Sequence, residues 1–570
     1  MKKLIIGNSL VMNRYWSLLE NQAQAIWLVK NRSKRRLIEL QKPGMDVIDL
    51  PGLCQTVITA SGLAQFKLMD DWQQLAMLRS ALADSRCTRI TTLQQAMEFS
   101  GGQKRLLGRI QRMISARFSP EDQEASPDSD GFAVIRQVYE QFQMDANLWD
   151  EHLVLSKFIE FLEEPELVES IKNWAFSFKT GTGGNKTLVI PRAEKFTGIE
   201  QTIILFLCDF VDSLQVGIEK QKYSTNENTL KSSEIWFAAT RDFENEVLQD
   251  WENSFDAKHN HFNNMATEKQ AVSSILLKMG EEKPGRRVVV YVPGEQEEAE
   301  QYTSALRQAG IKCTGAIPRL IEKPEVRAVL DMVIGLSDDW PTIQIVDLLR
   351  NSSFQFESID SELSRREVDR LAGEIYRLGE VNGISEILKS LQIKWDESKR
   401  FRVAVPSEKQ QLKSMNLLSE IKKCSNDLDQ TRLWPDWVGW LQGFVSKLLG
   451  IEFKNRLNDF WHVLNAYSEM ELAIGQKEWL FKEVLGEIQL LLEQAEATNV
   501  DGNAAEVILY QDKLPDFSVV GDWVCCGMNE KYYPSRTRLR EGLRSQSDLS
   551  LLWENEQNEF AGLCGLAFSR

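Results

Sequence analysis

The sequence is poor in the residues from which metal sites and disulfides are built. It contains four histidines and eight cysteines, and none of them has the C-x-x-C or Cys/His spacing of a metal site. Long apolar runs are also missing, because the longest, at 202–208, is far shorter than the ~20 residues that cross a bilayer. The apolar stretch after Met1 ends at Gly7, short of the ~7–15 residues of a signal peptide. We therefore expect a cytoplasmic protein with reduced thiols, no membrane partner, no bound metal and no cofactor.

The remaining composition is that of a folded multidomain protein. At 570 residues the chain is too long for a single core, and about three or four domains of ~150 residues are expected. Hydrophobic residues make up 43% and charged residues 26% of the sequence, which excludes a fibrous or disordered chain. The formal net charge of −16 argues against a wholly basic nucleic-acid coat. It still permits a local basic channel, because binding depends on the field at the contact surface.

The beginning of the sequence has the outline of a nucleotide site. A short apolar strand, Leu4–Ile6, is followed by Gly7 and by an amphipathic run typical of a helix. In a phosphate-binding loop, G-x-x-x-x-G-K-[ST], backbone N–H groups and the lysine hold the phosphates while the hydroxyl binds magnesium. Aligned on Gly7, that pattern requires glycine, lysine and a hydroxyl where the sequence has Met12, Asn13 and Arg14. The segment is therefore either an ordinary strand and helix or an ATPase scaffold without its chemistry.

The order of strand-like and helix-like segments predicts two α/β regions, each accompanied by a long helical block. Helical patterns dominate 61–170 and 324–497, and strand and helix patterns alternate elsewhere, as in parallel sheets with covering helices. The predicted strands are 4–6, 187–191, 214–218, 234–239, 287–293, 505–510 and 523–526, and a long helix is predicted from Asp242 to Phe255. Because strands return after the second helical block, we expect that block to be an insertion into one α/β domain, with 288–292 and 523–526 in the same sheet.

Two sets of basic residues are candidates for contacts with nucleic-acid phosphates. The first lies at helical spacings that put most of its members on one face, beside apolar residues; it comprises Lys104, Arg105, Arg109 and Arg112. The second follows the segment GMNEKYYP at 527–534; it comprises Arg536, Arg538 and Arg540. For both sets a solvated surface is the alternative. The tryptophans at 434–440, spaced by three residues, are predicted to pack a helix and not to stack on bases.

Three stretches of the sequence carry a family resemblance. TLVIPRAEKFTGIEQTIILFL at 187–207 joins a strand to Phe196-Thr197 and Glu200. RRVVVYVPGEQEEAEQYTSALRQAGIKCT at 286–314 is followed by DLLRNSSF at 347–354, and LPDFSVVGDWVCCGMNEKYYP at 514–534 is the most specific of the three. Through them nearly the whole chain resembles the helicase-like part of the AddB-type subunit of bacterial helicase-nucleases. That family is related to RecC and to UvrD-like superfamily 1 helicases.

The resemblance implies an α/β multidomain fold with two RecA-like domains of the P-loop NTPase type, arranged as in superfamily 1 helicases. Each domain would carry a largely helical insertion. The implied first domain covers 1–60 and 171–233, with its insertion at 61–170. The implied second domain covers 234–350 and 500–570, with its insertion at 351–499.

The residues that would bind a nucleotide depart from the family pattern. Gly7 is retained, but Asn13 and Arg14 replace the lysine and the hydroxyl, and Pro191 stands where the magnesium-binding aspartate would fall. Arg570 matches the ATP-sensing arginine of the family. Without the lysine and the magnesium ligands, the β- and γ-phosphates lack the charges that stabilise phosphoryl transfer. The resemblance thus implies an ATPase fold without ATPase chemistry.

The function implied by the resemblance is that of a non-motor, DNA-contacting subunit in a helicase-nuclease that processes double-strand breaks. An AddA-like motor subunit would hydrolyse ATP. Members of the family continue into a PD-(D/E)XK nuclease domain with a four-cysteine iron–sulfur site, and no such site is expected within 1–570. Two alternatives remain open. One is an exonuclease subunit whose nuclease domain lies beyond residue 570, and the other is a catalytically inert interaction or defence scaffold.

Overall fold

The architecture is taken from a computed structural model of the chain. The description covers residues 2–7, 25–30, 35, 38–39, 46–87, 100–115, 127–180, 187–191, 193, 196, 199–211, 213–219, 242–247, 265–282, 288–292, 296–314, 319–337, 340–350, 363–381, 383–401, 405–423, 428–448, 456–475, 477–495, 507–510 and 522–526. The chain forms two compact units. One comprises Met1–Met69, Met77–Ala316 and Asn499–Arg570, and the other comprises Asp70–Ala76 and Ile317–Thr498.

The described strands and helices follow in chain order. The strands are β1 (Lys2–Gly7), β2 (Ala25–Val29), β3 (Asp46–Asp49), β4 (Lys67–Leu68), β5 (Leu148–Trp149), β6 (Thr187–Ile190), β7 (Leu214–Glu219), β8 (Glu244–Val247), β9 (Val288–Tyr291), β10 (Cys313–Thr314), β11 (Arg432–Leu433), β12 (Glu478–Trp479), β13 (Val507–Tyr510) and β14 (Asp522–Cys525). The helices are α1 (Leu50–Ser61), α2 (Asp71–Ala83), α3 (Ser100–Ser115), α4 (Pro127–Ala146), α5 (Glu151–Phe161), α6 (Pro165–Thr180), α7 (Ile199–Phe210), α8 (Met265–Glu282), α9 (Gln296–Gln308), α10 (Pro324–Ser337), α11 (Thr342–Arg350), α12 (Arg365–Tyr376), α13 (Ile384–Arg400), α14 (Glu408–Lys423), α15 (Trp434–Leu448), α16 (Asn458–Ile474) and α17 (Phe481–Gln494).

A six-stranded parallel sheet forms in the first unit, with the order β3-β2-β6-β7-β1-β8. The centres of its inner strands are apolar, and Leu188, Val189 and Ile190 of β6 are all buried. Such continuous burial is typical of parallel strands that are covered on both faces. Side chains from α1, α5, α6 and α7 belong to the same hydrophobic core as the strands.

The strand at the edge of this sheet corrects the sequence prediction. Residues 244–247 form β8, which pairs in parallel with β1, whereas the pattern predicted a helix from Asp242 to Phe255. Glu244 and Glu246 alternate along the strand, and both approach Lys3 of β1, with Nζ–Oε2 distances of 4.0 and 3.6 Å. In this segment every second side chain faces the neighbouring strand, and this pairing determines the structure. The helical spacing of the apolar residues does not.

A second parallel sheet in the same unit has the order β10-β13-β9-β14. β9 lies between β13 and β14, with Val290 opposite both Leu509 and Val524. The prediction that 288–292 and 523–526 share one sheet is confirmed by this pairing. Helices α8 and α9 supply Val272, Leu276 and Tyr302 to the core of this sheet. The implied limits of two RecA-like domains stay predictions.

The second unit is almost entirely helical and contains α10–α17, a short 3-10 helix at Leu320–Glu322 and the antiparallel pair β11–β12. Its two ends meet, because the Leu320 N–H donates to the Ala495 carbonyl at 2.8 Å. An ion pair of 2.7 Å joins Lys323 to Asp459. None of the described helices is both long and apolar enough to span a membrane.

The tryptophans of α15 pack in the core of this helical unit, as their spacing predicts. Trp434 and Trp437 are both 1% exposed. The indole N–H of Trp437 donates to the Trp479 carbonyl at 2.9 Å, and its ring lies 5.2 Å from that of Phe481. These rings are therefore occupied by packing within the protein, and they are not available to stack on bases.

Candidate functional site

The six strands of the first sheet are parallel, so their carboxyl ends lie along the same side of the sheet, called here the carboxyl edge. Several residues that the sequence analysis named lie at this carboxyl edge. Gly7 ends β1 and lies opposite Glu219 at the end of β7. Pro191 directly follows β6, which pairs with β7 on its other side. Gly7 and Pro191 are therefore two strands apart at the same edge. Both positions agree with the sequence prediction, because Gly7 follows one predicted strand and Pro191 is the last residue of another.

The direction in which connections run across the sheet reverses at β1, although all six strands are parallel. The connection leaving β1 runs to β2 on one side of it, whereas the connection leaving β7 passes β1 to reach β8 on the other side. In open parallel sheets, ligands bind outside the carboxyl ends of strands where such a reversal occurs. Gly7 thus lies at the position in this sheet where a phosphate-binding loop would begin.

At the position of the implied magnesium ligand, the side chain cannot bind the cation. Pro191 is buried, and its ring has no atom that can ligate a cation. Lys30, which follows β2, forms a 2.9 Å ion pair with Glu200 at the start of α7. No sequence motif marks Lys30, although Glu200 belongs to the 187–207 motif. The ion pair joins segments that are far apart along the chain, so it can be identified only from the folded structure.

A second carboxylate at the same edge has a structural role. Asp49 ends β3 and is 3% exposed. Its Oδ1 accepts a hydrogen bond of 2.7 Å from the Gly52 N–H and so caps α1. Its Oδ2 lies 3.4 Å from the Arg35 guanidinium, which also pairs with Glu39 at 2.8 Å. The Glu39 hydrogen bond and the two neighbouring carboxylates raise the pKa of Arg35 further.

Other predicted site residues fall outside the described part of the chain. These are Asn13, Arg14, Arg536, Arg538, Arg540 and Arg570. Within the described ranges, no group of three or more His, Cys, Asp or Glu side chains is arranged to hold a metal ion.

The first basic cluster lies on α3, and its members differ in exposure. Lys104 and Arg105 are exposed, whereas Arg109 is half-buried. The Arg109 guanidinium lies 3.7 Å from the centroid of the Phe132 ring on α4, within the range of a cation–π contact. The side chain of Arg112 is outside the description. Lys104 and Arg105 are therefore the better placed pair for contacts with phosphates, while Arg109 also holds α3 against α4.

A buried polar network fixes the helices beneath this cluster. Asp150 is fully buried and caps α5, because its Oδ1 accepts from the Leu153 N–H at 2.8 Å. Its Oδ2 accepts from the Tyr139 hydroxyl at 3.1 Å and from Gln111 of α3 at 3.4 Å. Burial, with the nearby Asp150 carboxylate as a smaller cause, raises the pKa of Tyr139 well above its ordinary value. The network anchors α3 from its inner side and leaves the outer side to Lys104 and Arg105.

No protein-family model matches the chain, and no curated protein matches it.

Proposed function

We propose that this protein is a non-motor, DNA-contacting subunit of a helicase-nuclease that processes double-strand DNA ends. In this proposal the first sheet is a RecA-like scaffold whose own ATP site is degenerate. A partner chain of the AddA type supplies ATP hydrolysis.

The position of Gly7 and Pro191 at one edge of a parallel sheet carries the proposal. A strand, a glycine at its carboxyl end and a reversal in the direction of the strand connections are backbone features of nucleotide sites in parallel sheets. The catalytic side chains are replaced, because Asn13, Arg14 and Pro191 cannot supply the lysine, the hydroxyl and the carboxylate. A retained backbone with replaced chemistry supports a structural role within a complex.

The exposed cations of α3 support contact with DNA. Lys104 and Arg105 project from a helix whose inner face, including Leu106, Leu107 and Ile110, is buried. Contacts between such side chains and phosphates are independent of base sequence and depend steeply on salt. Because the overall charge is −16, a small basic surface differs in sign from the average charge of the molecule.

Binding of duplex ends and single strands by the whole chain tests the proposal. Lys104→Gln with Arg105→Gln should weaken binding to all sequences alike and reduce the duplex salt slope by about 1.8, since each lost contact contributes ~0.9. Arg109 is left in place because its removal would also disturb packing against Phe132. Lys409→Gln with Lys422→Gln, two exposed lysines of α14, is the control with the same change in charge.

Two results decide between the functions. Salt-dependent DNA binding by the wild-type chain that falls in the α3 variant, and not in the control, supports the DNA-contacting subunit. Absence of any DNA binding at low salt would contradict it and favour the inert interaction scaffold.

A further inference from the structure

Helix α12 of the second unit and the residue that caps its carboxyl end carry an arginine stripe, defined as Arg366 and Arg370 of the helix and Arg377, whose backbone is still in the right-handed helical region. These positions are separated by four and seven residues, so they lie within about 40° of one another around the helix axis. The stripe extends about 16 Å along the helix axis at 1.5 Å per residue. All three side chains are exposed, while Val368, Leu371 and Ile375 bury the opposite face. Gly373 lies within the stripe, and no atom lies within 4 Å of where a Cβ would be, so the centre of the stripe is open.

Two carboxylates of α12 pair with Arg365 and Arg370, so the unneutralised positive charge of the stripe is that of Arg366 and Arg377. Asp369 pairs with Arg365 at 3.3 Å. Glu374 pairs with Arg370 at 3.4 Å and accepts a 2.7 Å hydrogen bond from the Trp395 indole. Neither Arg366 nor Arg377 has an acidic partner within 4 Å in the part of the chain that the structure describes.

The third α12 carboxylate is satisfied at the start of the helix. Glu367 accepts 2.8 Å hydrogen bonds from the backbone and the hydroxyl of Ser364, and one of 2.8 Å from Gln410 of α14. Its negative charge is therefore directed toward donors inside the unit, away from the arginine stripe.

An exposed aromatic ring lies beside the stripe. Tyr376, adjacent to Arg377, is 61% exposed. The Arg350 guanidinium lies 5.8 Å from the centroid of its ring. This ring is exposed to solvent and lies beside cations. The tryptophans Trp434 and Trp437 of the same unit are instead buried and pack against other side chains. The part of the ring that Arg350 does not cover is exposed to solvent and available to a planar ligand.

The sequence around α12 also departs from the acidic average. Residues 363–381 contain four Lys and Arg residues against four Asp and Glu residues, whereas the whole chain has 67 against 83. Because binding depends on the field at the contact surface, exposed arginines in this locally balanced segment favour an anionic partner. A row of cations over about 16 Å fits a ligand with repeated anionic groups, and the adjacent ring fits one that also has flat, apolar faces. Single-stranded DNA combines both properties, because its phosphates repeat along the strand and its bases are unpaired.

We propose that the arginine stripe and Tyr376 form a binding surface for single-stranded DNA, with the arginines contacting phosphates and the tyrosine ring stacking on a base. This inference rests on the proposed function and deepens it, since it adds a second DNA contact and assigns it to the single-stranded form. The sequence itself contains the signal, because arginines at i, i+4 and i+11 recur on one helix face.

Anisotropy titrations of the whole chain with labelled oligothymidylate, longer than the ~4–16 nucleotides of one typical site, test the surface. Arg366→Gln with Arg377→Gln should lower affinity roughly ten-fold or more at about 50 mM salt and reduce the salt slope by about 1.4, at ~0.7 per contact. Arg366→Lys with Arg377→Lys should restore most of the affinity. Tyr376→Ala should lower affinity about five-fold or more with an unchanged salt slope, because stacking releases no counterions.

Matched controls separate a local effect from a general one. Lys409→Gln with Lys422→Gln removes the same charge from α14, and Phe401→Ala removes another exposed ring of the unit, itself 78% exposed. Both controls should bind as the wild type does, and all variants should melt at nearly the wild-type temperature because the changed groups are exposed.

The outcomes distinguish this inference from the proposed function. If the wild type binds single strands and the α12 variants bind equally well, the arginine stripe is a solvated surface and this inference alone is wrong. If a change in affinity is the same in the α14 control, the effect is one of net charge and the inference is again wrong. If the wild type binds neither single strands nor duplex ends, the proposed function fails together with it.

Discussion

Gly335 and Trp340 form the tightest side-chain fit among the described glycines of the helical unit. A Cβ on Gly335 would lie 2.5 Å from the Trp340 ring, which is fully buried. Trp340 itself has a positive φ of 54°, and its N–H donates to the Gly335 carbonyl at 2.8 Å. Because this backbone conformation is uncommon for a bulky residue, the surrounding contacts must hold it in place.

Gly335→Ala should therefore destabilise the protein by about 1–3 kcal/mol through overpacking. Gly443→Ala on α15 is the matched control, since no atom lies within 4 Å of its added methyl group. That control should raise the free energy of unfolding by about 0.5–1 kcal/mol, because alanine favours helix more than glycine does. Urea denaturation followed by circular dichroism measures both. Equal effects of the two substitutions would show that Trp340 can move away at little cost.

Glu367 gives a prediction about pH at the same scale. Hydrogen bonds from the Ser364 backbone, the Gln410 amide and the Ser364 hydroxyl lower the pKa of Glu367 from 4.5 to about 2. Because the folded state favours the anion, this group stabilises the protein above pH ~4.5, and the contribution is lost as the pH falls from ~4.5 toward 2.

The Glu367→Gln variant should accordingly be less stable than the wild type at pH 6, by less than about 1 kcal/mol because the carboxylate is partly exposed. The difference should shrink between pH 4.5 and pH 2. Denaturant titrations of both proteins at several pH values measure it. A difference that stays constant over this range would mean that the hydrogen bonds do not distinguish the charged from the neutral form.

At the scale of elements, the cap of α1 links the sheet edge to its covering helix. Asp49→Ala should cost about 1–2 kcal/mol, because the Gly52 N–H loses its acceptor inside the protein. Asp49→Asn keeps an oxygen acceptor and loses only the pairing with Arg35, so it should cost less. Thermal denaturation of the two variants tests this order. A loss as large in the asparagine variant as in the alanine variant would assign the effect to charge and not to capping.

The elements that sequence could predict are those whose burial is uniform. Leu188–Ile190 of β6 and Val288–Tyr291 of β9 are consecutive buried residues, so these segments can be recognised as strands covered on both faces. β8 could not be recognised from the sequence. Glu244 and Glu246 pair with Lys3, which lies on a strand far away in the sequence. Tertiary pairing decides such edge segments, and local pattern does not.

The candidate site divides in the same way. Gly7 follows the predicted strand 4–6 and Pro191 ends the predicted strand 187–191, so their position at the same end of the sheet could be expected once the strands are parallel. The Lys30–Glu200 ion pair depends on which strands are neighbours in the sheet, and local sequence patterns do not predict that strand order. Arg109 shows what helical spacing cannot predict about a surface cluster. The spacing predicts the helix face on which Arg109 lies, but it does not predict the contact with the Phe132 ring, which partly buries the side chain.

For the whole molecule, the proposed function assigns a scaffold role to the six-stranded parallel sheet of one unit and DNA contacts to helix surfaces of both units. The α3 pair and the arginine stripe belong to different units, and each is proposed to contact phosphates. Changes at the two surfaces should have additive effects on the free energy of DNA binding if the contacts are independent. A variant carrying Lys104→Gln, Arg105→Gln, Arg366→Gln and Arg377→Gln, titrated beside its two parents, measures this. Loss in the combined variant no greater than in one parent would mean that only one surface binds.

The central claim is that the protein keeps the scaffold of an ATPase without the chemistry, and ATP itself tests it most directly. Calorimetric titration with Mg·ATP, together with phosphate release measured with and without DNA, should be done on a sample whose DNA binding has been demonstrated. With Asn13, Arg14 and Pro191 at the key positions, we expect no tight binding of ATP and no turnover above background, whether or not DNA is present. Micromolar affinity for ATP with DNA-stimulated phosphate release would contradict the claim.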